Sequence, residues 1–173
     1  IDDNELSTLC DGIKDAKLSN LEYLALVGNS NNMSNTNVTT SYNSTKTPKT
    51  ITNLEPLASL SSTIKSAVKY LSINNNNIAG DLTAIKDFTN LILLRCEYNN
   101  LTSLAGMKNM NNIVYLCGVG NRLGTINNNG TETKESNETG TSISSLSNKK
   151  FLYQVNLKDN SNLSNVSYFK NDT

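Results

Sequence analysis

Tyrosine recurs in this chain at a fixed offset, and the chemistry it offers there is recognition. Tyr23, Tyr70 and Tyr115 each stand two residues after the start of a repeated pattern, and Leu93 holds that place in another copy. Tyr153 stands beside the same column in a fifth copy. On a strand, residues of this register point away from the core. Arg95 lies two places after Leu93, and Glu97 and Tyr98 extend the same surface, as do Lys158 and Asp159. Tyrosine and arginine combine contact area with a polar tip, which is why they are enriched at binding hot spots. The plainer role of such tyrosines is to pack on their cross-strand neighbours.

Groups that could react are scarce. The chain has no histidine, so the commonest general base and metal ligand is absent. No phosphate-binding glycine loop, paired-cysteine motif or nucleophile elbow occurs. Asp2, Asp3 and Glu5 read as a solvated acidic terminus, and Asp81 and Asp87 as capping or solvated residues. The three cysteines are an odd number, which rules out a full disulfide framework. Cys96 falls on an inward position and Cys117 on an outward one, so their side chains should leave opposite faces of a sheet. Cys10 has no evident partner. No cation stands next to Cys117 in the sequence, and an inert, half-shielded thiol is expected there. No catalysis, metal or cofactor is implied.

The elements that must position these residues come from five copies of one pattern. The first is Leu21, Leu24, Leu26 and Asn29, and the second is Val68, Leu71, Ile73, Asn76 and Ile78. Leu91, Leu94, Cys96, Asn99 and Leu101 follow, then Ile113, Leu116, Gly118, Asn121 and Leu123. The last is Leu152, Val155, Leu157 and Asn160, with Leu163 one place late. These residues fit L-x-x-L-x-L-x-x-N-x-L, and over residues 18–170 the chain resembles the leucine-rich repeat family. Segments such as 53–60 look like the returns of bacterial internalin-type repeats. The resemblance implies a right-handed α/β solenoid with a parallel β-sheet on its concave face. Short 3₁₀ or α-helical returns would form the convex face. The inward leucines should stack from repeat to repeat, each contributing about 1.5–3 kcal/mol. Asn29, Asn76, Asn99, Asn121 and Asn160 should form a ladder that satisfies backbone groups where the chain turns away.

The whole chain, 1–173, reads as one repeat domain. Only 36% of its residues are hydrophobic, below the usual ~45–50% of a globule, which a solenoid tolerates because each repeat needs few inward residues. Residues 1–20 are assigned to an N-terminal cap through Leu6, Leu9, Ile13 and Leu18. Val166, Tyr168 and Phe169 would make a thin C-terminal one. Two polar loop insertions, 30–50 and 127–142, lengthen the first and fourth repeats and should leave the same edge. Apolar residues spaced by three and four, as in Ile78, Leu82, Ile85, Phe88 and Leu91, predict the helical returns. Gly118 next to Cys96 puts two small residues in the inner column, so that bulkier neighbours fill in or the stack bends.

The net charge of 0 gives no basic block for nucleic acid, and no run approaches the apolar length of a membrane span. Nine glycosylation sequons little exceed what an asparagine-rich composition supplies. The start at Ile1 reads as a mature or excised piece of a longer product. The expected function is a non-catalytic protein-binding module, surface-exposed or secreted. The alternatives are a subunit that self-associates through the solenoid ends into filaments or a surface layer, and an intracellular regulatory scaffold.

Overall fold

A computed structural model describes residues 1–28, 49–128, 131–135, 141–164 and 166. Each copy of the pattern forms a strand of three residues. These are β1 (Tyr23–Ala25), β2 (Tyr70–Ser72), β4 (Leu93–Arg95), β6 (Tyr115–Cys117) and β9 (Gln154–Asn156). They pair in parallel in the order β1-β2-β4-β6-β9. Parallel neighbours need a crossover between them, and the returns supply it. The middle residues Leu24, Leu71, Leu94 and Leu116 face inward and are buried, while Val155 of the last strand is half-buried.

The returns follow the three-and-four spacing. The first is the longest and folds into α2 (Glu55–Ala58) and α3 (Ser62–Ala67). Pro56 lies in the opening turn of α2, where its missing N–H costs nothing, and the Ser61 hydroxyl accepts from Ile64 N to start α3. Later returns are single 3₁₀ turns at Thr83–Ile85, Met107–Asn109 and Ser144–Leu146. Leu82, Ile85, Phe88 and Leu91 are fully buried between turns of the solenoid. A second parallel pairing joins β3 (Ala79–Gly80) to β5 (Asn100–Leu101).

Four ladder asparagines bridge successive turns, and each reaches back to the turn before it. Asn76 accepts from Ile51 N at 3.0 Å and donates to Leu26 O at 2.7 Å. Asn99 accepts from Ile78 N at 3.1 Å and donates to Ile73 O at 3.0 Å. Asn121 accepts from Leu101 N and donates to Cys96 O, and Asn160 accepts from Leu123 N and donates to Gly118 O. Asn29 lies outside the described residues. The residue before each of the four has a left-handed backbone: Asn75 at φ 58°, Tyr98 at 54°, Gly120 at 66° and Asp159 at 60°. This turn aims the amide into the stack, and the repeat pattern did not reveal it.

The acidic N-terminus is not merely solvated. Asp2 caps α1 (Asp3–Asp15) in a reciprocal pair with Glu5. Asp3 accepts from Thr52 N at 2.7 Å, Asn53 N at 3.1 Å and Thr52 Oγ1 at 2.5 Å, which pins the helix to the first return. Carboxylates are drawn to these backbone N–H groups because the turn leaves the donors unpaired. Leu6 and Ile13 of α1 are buried, but Leu9 and Leu18 are exposed, and Cys10 takes the inward place between them. Burial pushes the Cys10 thiol up from its ordinary value.

The segment expected as a polar loop over 127–142 contains ordered structure. β7 (Thr125–Asn128) and β8 (Thr131–Lys134) form an antiparallel ribbon. β-Branched Thr125, Ile126, Thr131 and Thr133 suit extended backbone better than a loop. Glu135, buried at the foot of the ribbon, accepts from Ser142 N and Ser142 Oγ and so closes the excursion. Of the 30–50 segment, only Lys49 and Thr50 fall among the described residues, and Tyr168 and Phe169 lie outside them. The inner column is filled at Gly118: a β-carbon there would lie 3.1 Å from Leu157 Cδ2 and 3.7 Å from Cys96 Sγ.

Candidate functional site: the concave face

The parallel strands lie side by side, so one residue from every turn enters each column of the concave face. The register runs Tyr23, Tyr70, Leu93, Tyr115 and Gln154 in one column. The next column is Ala25, Ser72, Arg95, Cys117 and Asn156. Tyr153 stands beside Tyr115, with ring centroids 6.1 Å apart in an edge-on arrangement. Tyr23 and Tyr70 lie 6.3 Å apart and tilted by 35°. Tyrosines therefore touch in pairs at both ends of the column, and Leu93 separates the pairs.

The rings differ in exposure. Packing half-buries Tyr70 and Leu93, whereas Tyr23, Tyr115 and Tyr153 stay exposed, Tyr153 by 81%. Val27 at 50% adds apolar area that the tyrosine spacing did not indicate. At the border of the face, Lys69 pairs with Glu22 at 2.5 Å across β1 and β2. Both ends of that pair are open to water, so it adds little stability.

Arg95 and Glu97 lie at the centre. The guanidinium donates through Nε at 3.1 Å and Nη2 at 2.9 Å to the same oxygen, Glu97 Oε1. The Arg95 side chain is 52% exposed and that of Glu97 only 7%. Glu97 was expected on the open surface. It is buried because β4 ends at Arg95 and the chain then turns toward the ladder residue Asn99. Its second oxygen, Oε2, is enclosed and, among the described residues, has no close hydrogen-bond partner, with the Cys117 thiol its neighbour across the strands. Hydrogen bonding to Glu97 holds the Arg95 group above its ordinary value. Tyr98, also expected on the face, lies at the turn beyond the strand. Its ring covers Gly120, where a β-carbon would come within 2.6 Å of Tyr98 Cδ1.

Cys117 sits across from Arg95 in the register, a cation that linear neighbours did not reveal. Burial and the adjacent Glu97 carboxylate push its thiol above the ordinary value, outweighing Arg95. The group is a half-buried thiol, not a thiolate. Cys96 faces the core, donates to Cys117 O at 3.4 Å, and is pushed far up by burial. A hollow of about 310 Å³ lined by Lys14, Lys17, Ser19, Ser61, Thr63 and Ile64 involves none of the concave strands. Among the described residues, no helix is long and apolar enough to cross a membrane.

No protein-family model matches the chain, and no curated relative matches it. Two solved structures that it resembles are an internalin C2 and an internalin, InlF, both from Listeria monocytogenes. Identity is 26% in each case, over 64% of this chain, with TM-scores of 0.46 and 0.48. The chain spans 38% of the first structure and 26% of the second.

Proposed function

We propose that this chain is a non-catalytic protein-binding module that engages its partner along the concave face, through Tyr23, Tyr70, Leu93, Arg95, Tyr115 and Tyr153. The observation that carries the reading is the aromatic and apolar run Tyr23, Tyr70, Leu93 and Tyr115, with Tyr153 beside its end, exposed at Tyr23, Tyr115 and Tyr153 and braced underneath by the packed core. Rigid aromatic anchors lose little rotamer entropy on binding and bury large area. With this reading goes a surface-exposed or secreted location, in keeping with the resemblance of the returns to internalin-type repeats.

The test is a displayed peptide library panned over the chain, with each selected binder then measured against the double variant Tyr70→Ala, Tyr115→Ala. Selected binders should lose affinity for the variant by about tenfold or more, as expected for two aromatic anchors. Circular dichroism and melting must show that the variant remains folded. Binders indifferent to both changes would refute the concave-face reading.

A second reading, end-to-end self-association, is favoured by one observation. Leu152, Val155 and Leu157 of the last turn are only partly buried, whereas their equivalents in the second and third turns are fully buried.

A further inference from the structure

We propose that Arg95 reads a carboxylate on the partner, held between the two tyrosine pairs of the concave face. The inference rests on the concave-face reading and names the chemistry at its centre. Glu97 engages the side edge of the guanidinium, Nε and Nη2, through a single oxygen. Among the described residues, no other acceptor meets Arg95, so the Nη1 donors and the second Nη2 donor remain for a ligand. That remaining edge presents two parallel N–H groups, the geometry that a carboxylate accepts in bidentate fashion.

The exposures set the sign of the site. The cation is half exposed, while its counter-charge is 7% exposed with Oε2 sealed from solvent. A partner approaching the face therefore meets the positive end of the pair. Glu97 acts as a positioning residue, fixing the plane of the guanidinium before a ligand arrives, which reduces the ordering cost of binding. Ser72 and Cys117 flank Arg95 in the register without supplying a competing carboxylate, and toward the β1 side the charges of Lys69 and Glu22 are already matched to each other. The partner segment that fits carries Asp or Glu between apolar side chains, which would rest on the flanking tyrosine pairs.

The sequence offers a clean readout, because Arg95 and Arg122 are its only arginines. The full chain, labelled with ¹⁵N, is titrated at pH 6 with blocked Leu-Asp-Leu and, separately, with blocked Leu-Asn-Leu. The Asp probe should move the Arg95 Nε–Hε resonance saturably, together with the amides of Tyr70, Leu93 and Tyr115, while Arg122 stays still. The Asn probe should bind roughly fivefold more weakly or worse. Arg95→Gln should erase the preference. Arg95→Lys keeps a cation against Glu97, guarding against misfolding, and should retain only part of the preference because the fork is lost. Equal shifts with both probes would overturn carboxylate reading while leaving the concave-face reading in place. Movement of Arg122 without Arg95 would overturn it as non-specific attraction. Silence of the concave amides with either probe would overturn both.

Discussion

At the scale of single residues, the asparagine ladder and the inner column carry the sharpest expectations. Asn99 serves Ile78 N and donates to the carbonyls of Ile73, Cys96 and Glu97, all away from water. Asn99→Ala orphans Ile78 N and takes one donor from each carbonyl, which keep Asn76, Asn121 and Asn75 N as partners, and should lower stability by roughly 1–3 kcal/mol, since an unpaired buried polar atom retains its desolvation cost. Among the described residues the side chain of the neighbouring Asn100 bonds only Asn77, at the exposed edge, so Asn100→Ala in a urea melt is the control and should change little. Gly118→Leu should cost about 1–3 kcal/mol in the same assay, because Leu157 already occupies the space. A stabilised Gly118→Leu protein would mean instead that the inner column has a void. The ladder was legible in the sequence because one residue type recurs at one register. The contact of Arg95 with Glu97 was not, because two residues two apart on a strand share a face but need not differ in depth. That difference arises from the turn that begins after Arg95.

At the scale of elements, α1 is the piece whose attachment depends on charge. Burial pushes the Asp3 carboxyl up, but hydrogen bonds from Thr52 and Asn53 outweigh it, and the group sits below its ordinary value of 3.8. Glu5 is lowered by Lys49, and Asp2 by the backbone N–H of Glu5. A depressed acid stabilises the fold above its unfolded value, and that contribution disappears as pH falls through the folded one. The grip of α1 should therefore be constant near neutrality and loosen below about pH 4. Hydrogen exchange of α1 amides across pH 5 to 2.5, corrected for intrinsic rates, reads this directly. Asp3→Asn should flatten the dependence, and an unchanged profile would remove Asp3 from the account. The helix itself was foreseeable from Leu6 and Ile13, but its inward choice of Cys10 over Leu9 was not. Helical periodicity allows several neighbouring faces, and only contact with the first return selects among them. The β7/β8 ribbon escaped notice for a related reason. Its strands carry a single apolar residue, Ile126, so no hydrophobic alternation announces them.

At the scale of the whole molecule, each turn contacts mainly its neighbours, and stability accumulates from one interface to the next. The buried side of α1 covers the first turn, so simple stacking of one copy's end on another's beginning would have to displace or accommodate that helix. Light scattering over a concentration series should accordingly give one constant mass, that of a monomer. Growth into rods would show that the partly buried last turn does recruit another copy, and self-association would then become the leading function. The solenoid itself could be read from five copies of one pattern, since each copy specifies a local structure and their repetition specifies the stacking. The direction of the ladder bears on how such a chain comes into being. Asn76, Asn99, Asn121 and Asn160 each complete the hydrogen bonding of the turn before their own, never the one after. As the polypeptide leaves the ribosome, any given coil stays incomplete until its successor has emerged. Closure thus trails synthesis by one repeat, and the growing end is always the least finished part of the protein.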